Sequence, residues 1–158
     1  LTKDEIEELK NLIKSPIKDN FIAKLLIAKY FWTNNTKETF DDVVSLQPLD
    51  YDRCTLEHII PQNPEANTNW LKDFSDNFRV DMTYKLGNMT LLTKKKNSSA
   101  KNYDFEKKRL QYRKTGLLMT REVGEQIKLT EDYFKSRQEE IVKQILSDLQ
   151  IVESLQNP

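Results

Sequence analysis

A chain of 158 residues, 37% of them apolar and 32% charged, is long enough for one packed core but too polar for a large buried sheet. No apolar run approaches the roughly 20 residues that cross a bilayer, no secretory leader is visible, and the lone Cys54 excludes an internal disulfide and a cysteine-rich zinc site. The chain is therefore read as cytoplasmic, with no membrane partner, and its start at Leu1 as the edge of a fragment of a longer protein.

Residues 3–15 set Ile6, Leu9, Leu12 and Ile13 at helical spacing, and Pro16 ends the pattern. Asn20 to Trp32 is apolar nearly all round, which predicts a helix buried in the centre of the fold. Residues 36–50 read as a linker containing Pro48. Cys54 to Ile60 is expected to be a strand. Pro61 to Tyr84 reads as a long loop with one helical turn near Trp70 and Leu71; its Trp70, Phe74 and Tyr84 anchor the loop or stack on bases. Lys85–Asn88 reads as a turn and Met89–Leu92 as a second strand. A helical segment follows from about Thr93, interrupted around 98–102 and resumed from Asp104 to Lys114. Thr130 then caps a long helix with Phe134, Ile141, Val142, Ile145, Leu146, Leu149 and Val152 on one face.

The fold class is thus α+β and mostly helical, a hairpin-helix core between N- and C-terminal helices. We expect one domain over 1–158: a helical part at 1–50, the core with its long loop at 51–115, and a second helical part at 116–158.

The net charge of zero hides an uneven distribution. From Lys94 to Lys114 nine basic residues (Lys94, Lys95, Lys96, Lys101, Lys107, Lys108, Arg109, Arg113 and Lys114) stand against Asp104 and Glu106, a local excess of +7. The first fifty residues carry seven basic and nine acidic groups. A basic run is usually a solvated helix face, but beside a hydrolytic centre it would contact nucleic-acid phosphates.

The chain has one histidine, His58, directly after Glu57. Phosphodiester hydrolysis needs a base to activate water and a cation to neutralise charge on the phosphate. Magnesium is satisfied by one or two protein oxygens plus waters, so a carboxylate and an amide carbonyl suffice. If the helix after the hairpin packs back across it, Glu57 and Asn97 can supply those oxygens and His58 the base. Taken singly, each of these residues also fits an ordinary structural role: His58 a packed core residue, Asn88 a turn residue, Asn97 a cap. Their order along the chain is what points to chemistry.

That order resembles the HNH (His-Me finger) nuclease superfamily. Glu57-His58-Ile59-Ile60-Pro61-Gln62, then Leu86-Gly87-Asn88-Met89-Thr90-Leu91-Leu92, then Asn97 and Asn102-Tyr103-Asp104-Phe105 carry the resemblance. More narrowly, the chain is similar to the C-terminal HNH-type domain of GmrSD-type modification-dependent restriction enzymes and related anti-phage proteins. The resemblance implies a ββα-metal core and a Mg2+- or Mn2+-dependent DNA endonuclease. His58 would be the general base, Glu57 and Asn97 the metal ligands, and Asn88 a brace for the hairpin and the histidine backbone. Asn102 would support the loop. Lys94, Lys95, Lys96, Lys101, Lys107, Lys108 and Arg109 would bind DNA. An N-terminal NTPase or recognition domain would complete the full-length protein. The competing readings are a catalytically inactive nucleic-acid-binding or protein-interaction module, and an all-helical scaffold in which Glu57 and His58 only pack.

Overall fold

The computed structural model describes residues 2–35, 48–94 and 102–156. It is a mostly helical α+β fold around one two-stranded antiparallel sheet. Helix α1 (Lys3–Lys14) starts with a capping box in which Thr2 and Glu5 satisfy each other's backbone N–H groups, and it buries Ile6 and Ile13. Pro16 ends it as expected, and the Ile17 N–H then donates to Tyr84 O at 2.7 Å, stitching the chain to the centre of the fold.

Helix α2 (Asn20–Asn35) is capped by the Asp19 carboxylate, which accepts from the Phe21 and Ile22 N–H groups. Ala23, Ile27, Tyr30 and Phe31 are buried, but Phe21 is 68% exposed and Leu25 and Trp32 are exposed with it. The expectation of burial all round is therefore corrected to one buried and one open face. The linker expected over 36–50 falls mostly outside the described residues, and Pro48–Arg53 forms a short 3-10 helix.

Strand β1 (Cys54–His58) pairs with β2 (Met89–Thr93), with His58 opposite Met89 and Cys54 opposite Thr93. β1 stops two residues earlier than the apolar pattern implied: the Ile59 N–H still donates to Asn88 O, but the Asn88 N–H is taken by Lys85 O in the 3-10 turn, and the Ile60 N–H goes to the Asn88 side chain. The expected long loop contains two helices, α3 (Asn69–Asp73) and α4 (Asp76–Met82). Ser75 caps α4 by accepting from the Phe78 N–H, and Phe78 and Met82 face inward one turn apart. Trp70 and Phe74 are buried in the core, so of the two roles considered for them anchoring prevails.

Helix α5 (Phe105–Arg113) lies behind β1, and α6 (Leu118–Glu125) lies against both α5 and β2. Thr120 Oγ1 meets Thr90 Oγ1 at 2.7 Å and lies 2.6 Å from Leu91 O, fixing α6 on β2. Helix α7 (Glu131–Gln156) begins after Thr130, whose hydroxyl accepts from the Tyr133 N–H. It buries Phe134, Ile141 and Ile145, with Val142, Leu146 and Leu149 partly buried on the same face; the side chain of Val152 lies outside the described residues.

Helix α7 also grips the 3-10 turn Leu86–Asn88 that leads into β2. Arg137 Nη1 donates to Gly87 O at 2.7 Å, Met89 O at 2.8 Å and Leu86 O at 3.3 Å, and the Gly87 N–H donates to Gln138 Oε1 at 2.6 Å. This approach needs a glycine. A Cβ at position 87 would lie 2.8 Å from both Gln138 Cβ and Phe134 O. Gly87→Ala should therefore lower unfolding stability by about 2–3 kcal/mol in urea melts, since the obstacle includes helix backbone.

Candidate active site

The turn that delivers Asn88 and the strand end that delivers His58 are joined by one side chain. Asn88 has no exposed surface. Its Oδ1 accepts from the Ile60 N–H at 2.7 Å, while Nδ2 donates to Ile60 O at 3.0 Å and Thr83 O at 3.2 Å. The Asn88 carbonyl accepts from the Ile59 N–H at 2.8 Å. The amide thus satisfies backbone groups on both sides of the bend after β1. Asn88 reaches no open space, so its geometry is that of a positioning residue.

His58 borders an open cavity of about 720 Å³, shared with Glu57, Gln62, Lys94, Asn102 and Lys108. Its ring stands edge-on to Tyr84, with centroids 6.0 Å apart. The Gln62 amide nitrogen is 3.3 Å from His58 Nε2. An amide nitrogen can only donate, so this contact fits the tautomer with its proton on Nδ1 and a lone pair on Nε2. Burial, helped by the nearby Lys108 ammonium, pushes the His58 pKa down to about 4. The imidazole is therefore neutral at neutral pH, the state a base needs.

Glu57, one residue earlier, lines the same cavity from deeper in the fold. It is 5% exposed, and its Oε1 accepts from Lys108 Nζ at 2.8 Å and from the Tyr112 hydroxyl at 2.8 Å. Both donors come from α5, one turn apart on the same face. The Lys108 ammonium also donates to His58 O at 2.8 Å and Ile59 O at 3.1 Å, so one cation binds three consecutive residues at the end of β1. Burial pushes the Lys108 pKa down, and the Glu57 carboxylate opposes that shift. Burial and the same carboxylate push the Tyr112 phenol well up, which keeps it a hydrogen-bond donor.

The basic run divides accordingly. Lys94 is exposed and lines the cavity, as does the exposed Asn102. Lys107 is exposed, with its ammonium 4.6 Å from the Tyr103 ring centre. Arg109 turns to α6, where its Nε donates to Gly124 O at 2.9 Å. Lys108 is 1% exposed, which corrects the expectation that it contacts DNA phosphates: its donors are used inside the protein. Lys95, Lys96, Asn97 and Lys101 lie outside the described residues.

Sequence reasoning did not assign roles to Gln62, Tyr112 or Lys24, the last lining the same cavity from α2. The four-residue spacing of Lys108 and Tyr112 was the available signal for a shared helix face.

Among the described residues no group of three or more His, Cys, Asp or Glu side chains forms a metal site. The donor chemistry nevertheless fits an oxygen-preferring ion on one side of Glu57. Both helix donors converge on Oε1, whereas Oε2 takes no hydrogen bond from the described residues. A single carboxylate oxygen is within the minimum that magnesium requires from protein.

A mostly helical α+β fold with an acid-histidine pair at a strand end, braced by a buried asparagine, defines the class of molecule. The chain belongs to the family of C-terminal domains of GmrSD restriction endonucleases, which it matches over residues 3–144. That membership places it among the domains of restriction endonucleases. A search of curated proteins returned no match. No helix among the described residues is long and apolar enough to cross a membrane.

Two measurements check this geometry. Asn88→Ala should cost about 3 kcal/mol of stability, because it leaves the buried Ile60 N–H and C=O without partners. For His58, the folded pKa of about 4 lies below the ~6.5 of an unfolded histidine, so on acidification the unfolded chain takes up the proton first. The stabilisation is complete above about pH 6.5 and is lost as the pH falls toward 4, about 3 kcal/mol in full. Urea melts from pH 7 to 4 should show this loss in the wild type as an excess slope over His58→Gln.

Proposed function

We propose that this domain is a divalent-metal-dependent, HNH-type DNA endonuclease that nicks or cuts phosphodiester bonds, acting as the nuclease module of a restriction or anti-phage protein. The observation that carries this reading is His58, a neutral imidazole at an open cavity, its Nε2 lone pair met only by the exposed Gln62 amide among the described residues, one residue from a carboxylate. In this reading His58 Nε2 accepts the proton of the attacking water, with the Gln62 amide moving aside. Asn88 keeps the bend after His58 fixed, and Lys94, with Lys95, Lys96, Lys101 and Lys107, holds the DNA backbone. Arg109 is the weakest of the proposed contacts, because its Nε already serves Gly124.

Glu57, through Oε2, and Asn97 would hold Mg2+ or Mn2+. When bound, the ion supplies charge neutralisation at the phosphate and the leaving oxygen. Asn102 supports the loop at the cavity. The whole of 1–158 acts as one unit in this account, in the cytoplasm, alongside an N-terminal NTPase or recognition domain in the full-length protein. Lys108 favours a second reading, an inactive DNA-binding module, because it already neutralises Glu57.

Supercoiled-plasmid nicking with Mg2+ or Mn2+ separates the two. The nuclease reading expects activity that chelation abolishes and that His58→Ala lowers by about 100-fold or more, the contribution of a positioned base. DNA binding with no cleavage in either metal would favour the inactive module.

A further inference from the structure

We infer that Lys108 is a positioning residue that serves as the resident counter-ion of Glu57, assembling the strand end before any divalent cation arrives and holding the site's affinity for that cation low. The inference rests on the reading of Glu57 as a metal-holding residue and adds to it how the site exists without metal and how tightly it binds.

A carboxylate as buried as Glu57 is costly unless paired and hydrogen-bonded. Here the partner is built in. Lys108 has three N–H donors, and they have three acceptors: Glu57 Oε1, His58 O and Ile59 O. Tyr112 adds a neutral donor to the same carboxylate oxygen. Helix α5 therefore fixes the rotamer of Glu57 and the backbone of His58 and Ile59 together, with no contribution from a metal.

The same ammonium has a second consequence. Attraction between a carboxylate and an incoming dication is reduced by a positive charge already resting on that carboxylate, and low-dielectric surroundings strengthen the effect. A lysine that only supported folding would help metal binding by holding the ligand in place, and its loss would weaken affinity. A lysine that serves as counter-ion predicts the opposite sign. Removing its charge exposes the full charge of Glu57 to the metal.

The test measures Mn2+ affinity by calorimetric titration, and the Mn2+-induced rise in melting temperature, for the wild type, Lys108→Met, Lys108→Arg and Tyr112→Phe. Lys108→Met should bind Mn2+ about tenfold more tightly or better, the size expected when a like charge a few ångströms from the ion is removed, and gain more in melting temperature from Mn2+ than the wild type. Lys108→Arg, which keeps the charge, and Tyr112→Phe, which removes only a neutral donor, should show no gain in affinity over the wild type. If Lys108→Met is unfolded without metal, Mn2+ should restore its helical circular dichroism; no recovery at saturating Mn2+ overturns the proposal. Equal or weaker affinity in folded Lys108→Met also overturns it. Wild-type plasmid nicking in Mn2+ is run alongside: if it occurs while Lys108→Met shows no gain in affinity, only this inference falls, whereas no nicking in any metal counts against the nuclease reading itself.

Discussion

A buried ammonium holds the end of β1. Two strands of five residues cannot sustain a hairpin in water unaided, so the sheet depends on what packs against it. Two buried cations do much of this, one from α5 at the end of β1 and one from α7 at the start of β2. Lys108 binds Glu57 and the carbonyls of His58 and Ile59, and Arg137 binds the carbonyls of the turn from Leu86 to Met89. Asn88 then joins the two gripped segments through the backbone of Ile60. Removing one partner from such a buried arrangement typically costs about 3–5 kcal/mol, because the remaining charge has nowhere to go.

The chemistry of the site follows from that arrangement. His58 leaves β1 where the ladder ends, so its ring borders open space while its backbone is held from behind. Its neutrality at neutral pH has the same origin, burial first and then the Lys108 charge. Glu57, more deeply buried, is neutralised through one oxygen. Imidazole and carboxylate are adjacent in sequence and feel the same Lys108 charge, which helps keep the first neutral and pairs with the second.

Much of this was legible in the residues. The cap at Thr130, the stop at Pro16 and the hairpin strands all rest on local patterns that tertiary packing did not override. The short helices α4 and α6 were missed because seven or eight residues carry too little periodicity to stand out from a polar stretch, although Ser75 before Phe78 and Met82 was a usable cue. The open face of α2 was missed because apolar composition alone does not say which side a neighbour covers. Lys108 was the most instructive miss. Within Lys107-Lys108-Arg109 all three residues look alike, and only the position of α5 against β1 separates an interior counter-ion from its two neighbours. Asn97, which completes the proposed metal ligands, lies outside the described residues, so its place beside Glu57 rests on the family resemblance.

The most direct check on the Lys108–Glu57 pairing is a double-mutant cycle in urea, using Lys108→Met, Glu57→Gln and the two combined. If the ammonium and the carboxylate depend on each other, the combined variant should be more stable than Lys108→Met alone, with a coupling of about 2 kcal/mol or more. Losses that add to within about 0.5 kcal/mol would mean the two groups act independently, which contradicts Lys108 as the counter-ion of Glu57.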